Sequence, residues 1–76
     1  MRDIKRISRI LGLIVVIWRD NADMRFGQLY ENLLGQYCID KGIPQSKRTI
    51  IMWNFEDDDF ENYLKEFKGF GHETTN

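Results

Sequence analysis

Ile4, Ile7, Leu11, Ile14 and Trp18 recur at intervals of three, four, three and four residues. An α-helix turns once in about 3.6 residues, so this spacing lines one helix face with a continuous apolar stripe. Asp3 stands where it can cap that helix. Ile10, Val15 and Ile17 widen the stripe, while Leu13 and Val16 fall outside it. The second half of the helix is therefore apolar nearly all round. Such a helix is either central in a small bundle or shared with another chain. Leu13 and Val16 are accordingly candidate residues of a homodimer interface. Ile14, Val15, Val16 and Ile17 are β-branched, which keeps a strand open as the lesser alternative.

Arg19 to Asp23 is a polar break, and Asn21 or Asp23 can cap a second helix. That helix is expected from about Met24 to Ile39, with Phe26, Leu29, Tyr30, Leu33 and Tyr37 on one face and Leu34 at its edge. Asp40 to Lys47 reads as a loop: Gly42 suits a left-handed cap, and Pro44 blocks continuation. Residues 49–55 stay open between an extended segment, an apolar connector and a helical turn, because Ile51, Trp53 and Phe55 alternate with Ile50, Met52 and Asn54. Glu56, Asp57, Asp58 and Asp59 open a third helix, where negative charge offsets the positive end of the dipole. Asp58 with Glu61 has the spacing of a capping box. Phe60, Tyr63, Leu64 and Phe67 form its stripe, and Gly69 and Gly71 end it.

The expected architecture is an all-α, small three-helix bundle. Two longer helices make an antiparallel hairpin, and a shorter C-terminal helix covers the open groove. Residues 1–71 form one helical domain and 72–76 a frayed tail. Trp18 is expected to lie over the start of helix 2. Gly27, at the border of the helix 2 stripe, is expected to let that contact close. An approach route for a ligand is the alternative for Gly27.

A chain of 76 residues is near the lower limit for a core without staples. Its ten aromatic residues supply large burial per residue. Cys38 is the one cysteine, so no internal disulfide forms, and the absence of a Cys/His cluster excludes a structural zinc site. This usage fits a reducing cytoplasm. Arg2, Lys5, Arg6 and Arg9 followed by Ile10 to Trp18 resemble a signal peptide, but no small-x-small cleavage site follows. Those nine residues are too few to span a bilayer, which takes about 20, so no membrane is expected. There is no nucleophile elbow, phosphate-binding glycine loop or His-Glu-x-x-His motif, and neither an enzyme nor a cofactor is expected. Asp57, Asp58, Asp59 and Glu61 lack the alternating ligands and glycine turn of a calcium loop. They read as a solvated helix start, or as a contact for a basic partner.

Charge is unevenly spread. Residues 1–38 carry six basic and four acidic side chains, and residues 39–76 five basic and eight acidic ones. The expected pairing is internal, with Arg2, Lys5, Arg6 and Arg9 facing the acidic helix start. Contact with nucleic-acid phosphates is the alternative for this basic cluster, though no aromatic stacking platform accompanies it. On helix 2, Arg25, Gln28, Asn32 and Gln36 follow one another at spacings of three and four and form a polar flank. Arg25 carries a donor fork suited to carboxylate or phosphate. This flank, with Trp18 and Trp53 as apolar neighbours, is the candidate binding surface, and another protein is the expected partner.

These residues also carry a family resemblance. Arg2-Asp3, Lys5-Arg6-Ile7, Arg9-Ile10-Leu11, Trp18, the run Asp23-Met-Arg-Phe-Gly-Gln-Leu29 and Asn32 resemble a family of small uncharacterised bacterial and phage proteins. Its pattern is Arg-Asp-x-x-Arg-Ile, then Trp, then Asp-x-Arg-hydrophobic-Gly-Gln-Leu, then an aromatic-rich segment leading into Glu-Asp and a leucine helix. Trp53, Asn54, Phe55, Glu56, Asp57 and Leu64 would be that later part. The resemblance implies a helical fold and a cytoplasmic or phage setting, and brings no activity with it.

Overall fold

The computed structural model describes residues 3–70. Among them are four α-helices: α1 (Lys5–Asp20), α2 (Phe26–Lys41), α3 (Arg48–Asn54) and α4 (Asp57–Glu66). A 3-10 turn at Gln45–Lys47 leads into α3. The all-α class is as expected, and the helix count is one higher because most of the ambiguous 49–55 segment is α3. Among the described residues no helix is long and apolar enough to cross a membrane. Arg2, Gly71 and the expected tail at 72–76 lie outside the described residues.

The helix ends follow local chemistry. Ile4, not Asp3, is the N-cap of α1 and has no side chain with which to cap it; Asp3, one residue earlier, still reaches the first turn, its Oδ1 accepting the Lys5 N–H at 2.9 Å. At the other end the Asn21 N–H bonds the Trp18 carbonyl at 2.9 Å, and its side-chain amide bonds the Ile17 carbonyl at 3.0 Å. Neither Asn21 nor Asp23 caps α2. Arg25 holds that position with extended backbone, and its N–H is accepted by Gln28 Oε1 at 3.0 Å. This is one half of a capping box; a guanidinium has no acceptor with which to return the bond. Helix α2 consequently starts and stops two residues later than the apolar pattern suggests. It closes at Gly42, whose φ is +68°. The Gly42 N–H bonds the Ile39 carbonyl at 3.3 Å and the Ile43 N–H bonds Cys38 at 2.8 Å, the two bonds of a Schellman motif. Pro44 then stands before the 3-10 turn.

The capping box expected of Asp58 and Glu61 is absent. Glu56 is the N-cap of α4, and Asp57, Asp58 and Asp59 occupy its first turn. Glu61 lies one turn further on and is buried. Arg9 grips it, donating from Nε at 2.9 Å and Nη2 at 3.2 Å. Arg6 donates to Asp57 Oδ2 at 2.6 Å. Successive residues of α1 thus meet successive residues of α4, and the two helices run parallel. Parallel helices place like dipole ends side by side. The acidic first turn of α4 and the Arg6 and Arg9 pairs offset that repulsion.

Ile14, Ile17, Leu29, Leu33 and Leu64 form the core, with Ile10, Leu13, Trp18, Phe60 and Phe67 packed against it. Helix α1 packs most closely along α4, and it meets α2 through Ile14, Ile17, Leu29 and Leu33 of the shared core. The α1 side that faces inward is rotated. Ile14 and Ile17 are buried, while Ile4, Ile7 and Leu11 of the expected stripe are exposed. On the helix wheel the buried arc is centred about a quarter turn from that stripe. On α4, Tyr63 and Leu64 are buried as expected.

Trp18 does lie over the start of α2. Its Nε1 donates to the Met24 carbonyl at 2.7 Å, and its ring meets Phe26 at 5.3 Å. Gly27 takes no part in that contact: a Cβ built there would meet nothing within 4 Å. The close glycine is Gly35, where the same atom would lie 3.4 Å from Gln45 Oε1 and 3.8 Å from Arg48 Cδ. Gln45 also donates to the Gly35 carbonyl at 3.0 Å. These contacts seat the 3-10 turn and α3 on α2.

Candidate functional site

The feature left over after the core is assembled is the outer face of α1. Ile4 is 76% exposed, Ile7 48%, Leu11 53% and Val15 43%. Their spacings of three, four and four residues place them on one arc. Trp18 follows three residues later, and Phe26, half exposed, extends the apolar surface from Trp18 onto α2. Isolated surface hydrophobes are ordinary, but a contiguous run of this length is unusual in a small domain. One side of the run is the edge of the core. The other side carries Lys5, Ser8, Gly12 and Arg19, all exposed.

The basic cluster divides in two. Arg6 and Arg9 are committed to α4, as the sequence suggests. The Arg9 guanidinium, held by Glu61 and Asp3, has its pKa raised further above the arginine range. Its bonds hold the Glu61 carboxyl below the usual carboxylate value despite burial, with Lys65 at 3.4 Å adding to the effect. Asp3 is lowered too, first by the Lys5 N–H and then by Arg9. Lys5 and Arg19, by contrast, make no ion pair among the described residues.

The polar flank of α2 is not one surface. Gln28 is spent on the α2 cap. Asn32 is exposed and reaches Met24 Sδ at 3.6 Å. Gln36 is buried and donates to Asp40 Oδ1 at 3.0 Å. Arg25 is exposed, without an ion pair among the described residues. Trp53 stands apart on α3, 80% exposed, with Ile50 and Met52 nearby in sequence and also exposed.

Leu13 and Val16 line a groove of about 590 Å³ between α1 and the segment after α4, floored by Leu64, Phe67 and Phe70. Leu13 also packs on the core, and Val16 stands exposed at the rim. Gly27 lines a shallower hollow of about 330 Å³ with Tyr30, Leu34, Arg48 and Met52.

Sequence reasoning missed the bond between Asp40 and Tyr63. The buried Tyr63 hydroxyl donates to Asp40 Oδ2 at 2.8 Å, beside the Gln36 bond. Burial and this carboxylate push the phenol well above its ordinary range. No local pattern joins residues 23 apart in the chain. A run of ring contacts, Tyr30–Phe60–Phe55–Tyr37–Tyr63–Phe67–Phe70, with centroids 4.5 to 6.4 Å apart, passes through the Tyr63 ring. Cys38 is fully buried, and burial raises its thiol pKa, so the reactive thiolate is disfavoured. Among the described residues no group of three His, Cys, Asp or Glu side chains could hold a metal ion. Compared with models of known families, with curated proteins and with solved structures, the chain matches none.

Proposed function

We propose that this chain is a non-catalytic interaction module that docks another protein along the outer face of α1. The observation that carries this reading is the exposed arc Ile4, Ile7, Leu11 and Val15, continued by Trp18 and Phe26. Arg6 and Arg9, engaged by Asp57 and Glu61, are a poor reserve for nucleic-acid phosphates, which favours a protein over a nucleic acid. The chemically capable groups serve the fold: Cys38 is sealed, and Tyr63 is tied to Asp40. A reducing cytoplasmic setting suits the buried free thiol. The bacterial or phage origin implied by the resemblance belongs to the same proposal.

The test is a photo-cross-linking amino acid at position 11 in the cells that make the protein. A discrete adduct from position 11, absent from the exposed α4 position Asn62 and lost when Ile7→Asp is added, is the expected result. Equal labelling from both positions would remove the reading. An adduct of twice the chain's own mass would replace it with self-association.

A further inference from the structure

The charges along the α1 arc say what kind of partner fits it. Resting on the proposal that this arc is the docking face, we infer that its partner is an amphipathic helix whose apolar stripe is bordered by carboxylates. Ile4, Ile7, Leu11 and Val15 are spaced as one side of a helix-helix seam. On the seam's open side lie Lys5 and Arg19, with only Ser8 and Gly12 between them. Neither cation has an ion pair among the described residues. The acids at the two ends of α1 are elsewhere: Asp3, before the helix, is bonded to Arg9, and Asp20, its last residue, lines the groove on the α4 side. Among the described residues the open rim is therefore cationic and makes no ion pair, and long basic side chains can lay their stems on the seam while presenting charge at its edge.

A second copy of the chain fits less well. Antiparallel pairing centred on Leu11 sets Ile4 against Trp18 and Ile7 against Val15. The same operation brings Lys5 of one copy to Arg19 of the other, and like charges across an interface disfavour it. Parallel pairing would lay that rim against the side of α1 which its own core already covers. An anionic lipid surface is less favoured because the whole chain has a net charge of -1.

The experiment uses two synthetic helical peptides with the same leucine seam, one with glutamate at the flanking positions and one with lysine. Both are titrated into the full chain and followed by methyl and indole NMR signals. The glutamate peptide should bind about tenfold more tightly at low salt, a difference of about 1.4 kcal/mol, because its carboxylates pair with both rim cations. The shifts should fall on Ile4, Ile7, Leu11, Val15 and Trp18. The double variant Lys5→Glu, Arg19→Glu alters exposed side chains only, and should prefer the lysine peptide while keeping its melting temperature. Equal binding of the peptides, binding of neither, or shifts confined to α3 and Trp53 would overturn the inference. So would partition of the chain into vesicles containing phosphatidylglycerol, or a concentration-dependent dimer that buries Leu11. The Leu11 cross-link separates the two levels: an adduct in cells with no acidic-peptide preference removes only the partner class.

Discussion

Gly42 and Gly27 show how differently one residue type serves this chain. Gly42 sits at φ +68°, where a Cβ clashes with the backbone. Gly42→Ala should cost about 1 kcal/mol, read as a lower urea midpoint with an unchanged slope. Gly27 lies in the first turn of α2 with open space around it. Gly27→Ala should leave the fold intact and raise its stability by roughly 0.5 kcal/mol, since alanine is the better helix former. A fall of 1 kcal/mol or more would show a packing role that the geometry does not contain. The sequence identified Gly42 because its signal is local: a helix pattern, a glycine, then Pro44. It misassigned Gly27 because a missing side chain looks the same whether a neighbour or open space takes its place.

At the scale of elements, the α1–α4 pairing rests on Arg6, Arg9, Asp57 and Glu61 around an apolar centre. The Glu61 carboxyl is held below its ordinary value of 4.5, chiefly by Arg9. Its contribution to stability is therefore complete above pH 4.5 and is lost as pH falls further and the folded carboxyl takes up its proton. Glu61→Gln should flatten the acid limb of a plot of melting temperature against pH, leaving Asp3 to contribute the same sign more weakly at the surface. The four expected or partly open elements were legible as apolar periodicity, together with the acidic start of α4. Which arc of α1 turns inward was not. Its second half is apolar on most sides, so periodicity weighs two adjacent arcs equally. The choice is made by Arg6 and Arg9, which lie at the α4 side because acids await them there. The candidate surface follows from that choice: the arc the pattern assigns to the core is the one left outside.

On the scale of the whole molecule, the Tyr63–Asp40 bond ties α4 to the end of α2, and the Tyr63 ring meets Tyr37 and Phe67. The phenol stays protonated in the fold above pH 10.0, where an unfolded tyrosine ionises, and the Cys38 thiol behaves likewise above 9.0. Stability should thus decline as pH rises through that range. Tyr63→Phe should weaken the decline while lowering stability at neutral pH by about 1–2 kcal/mol through the lost bond to a carboxylate; denaturant titrations at pH 7 and 10 would measure both. Cys38, with no exposed surface, should react with a disulfide reagent only when the molecule opens. Its labelling rate should rise with urea alongside global unfolding, and rapid labelling in the native state would show a local route to it. The parallel pairing of α1 with α4 has a consequence during synthesis. The ribosome must release residues as late as Leu64 before the cover of Ile14 and Ile17, begun by Leu29 and Leu33, is complete. Until then the nascent chain displays both arcs of α1, and a fragment stopped at residue 54, lacking α4 altogether, should remain open to chaperones and proteases.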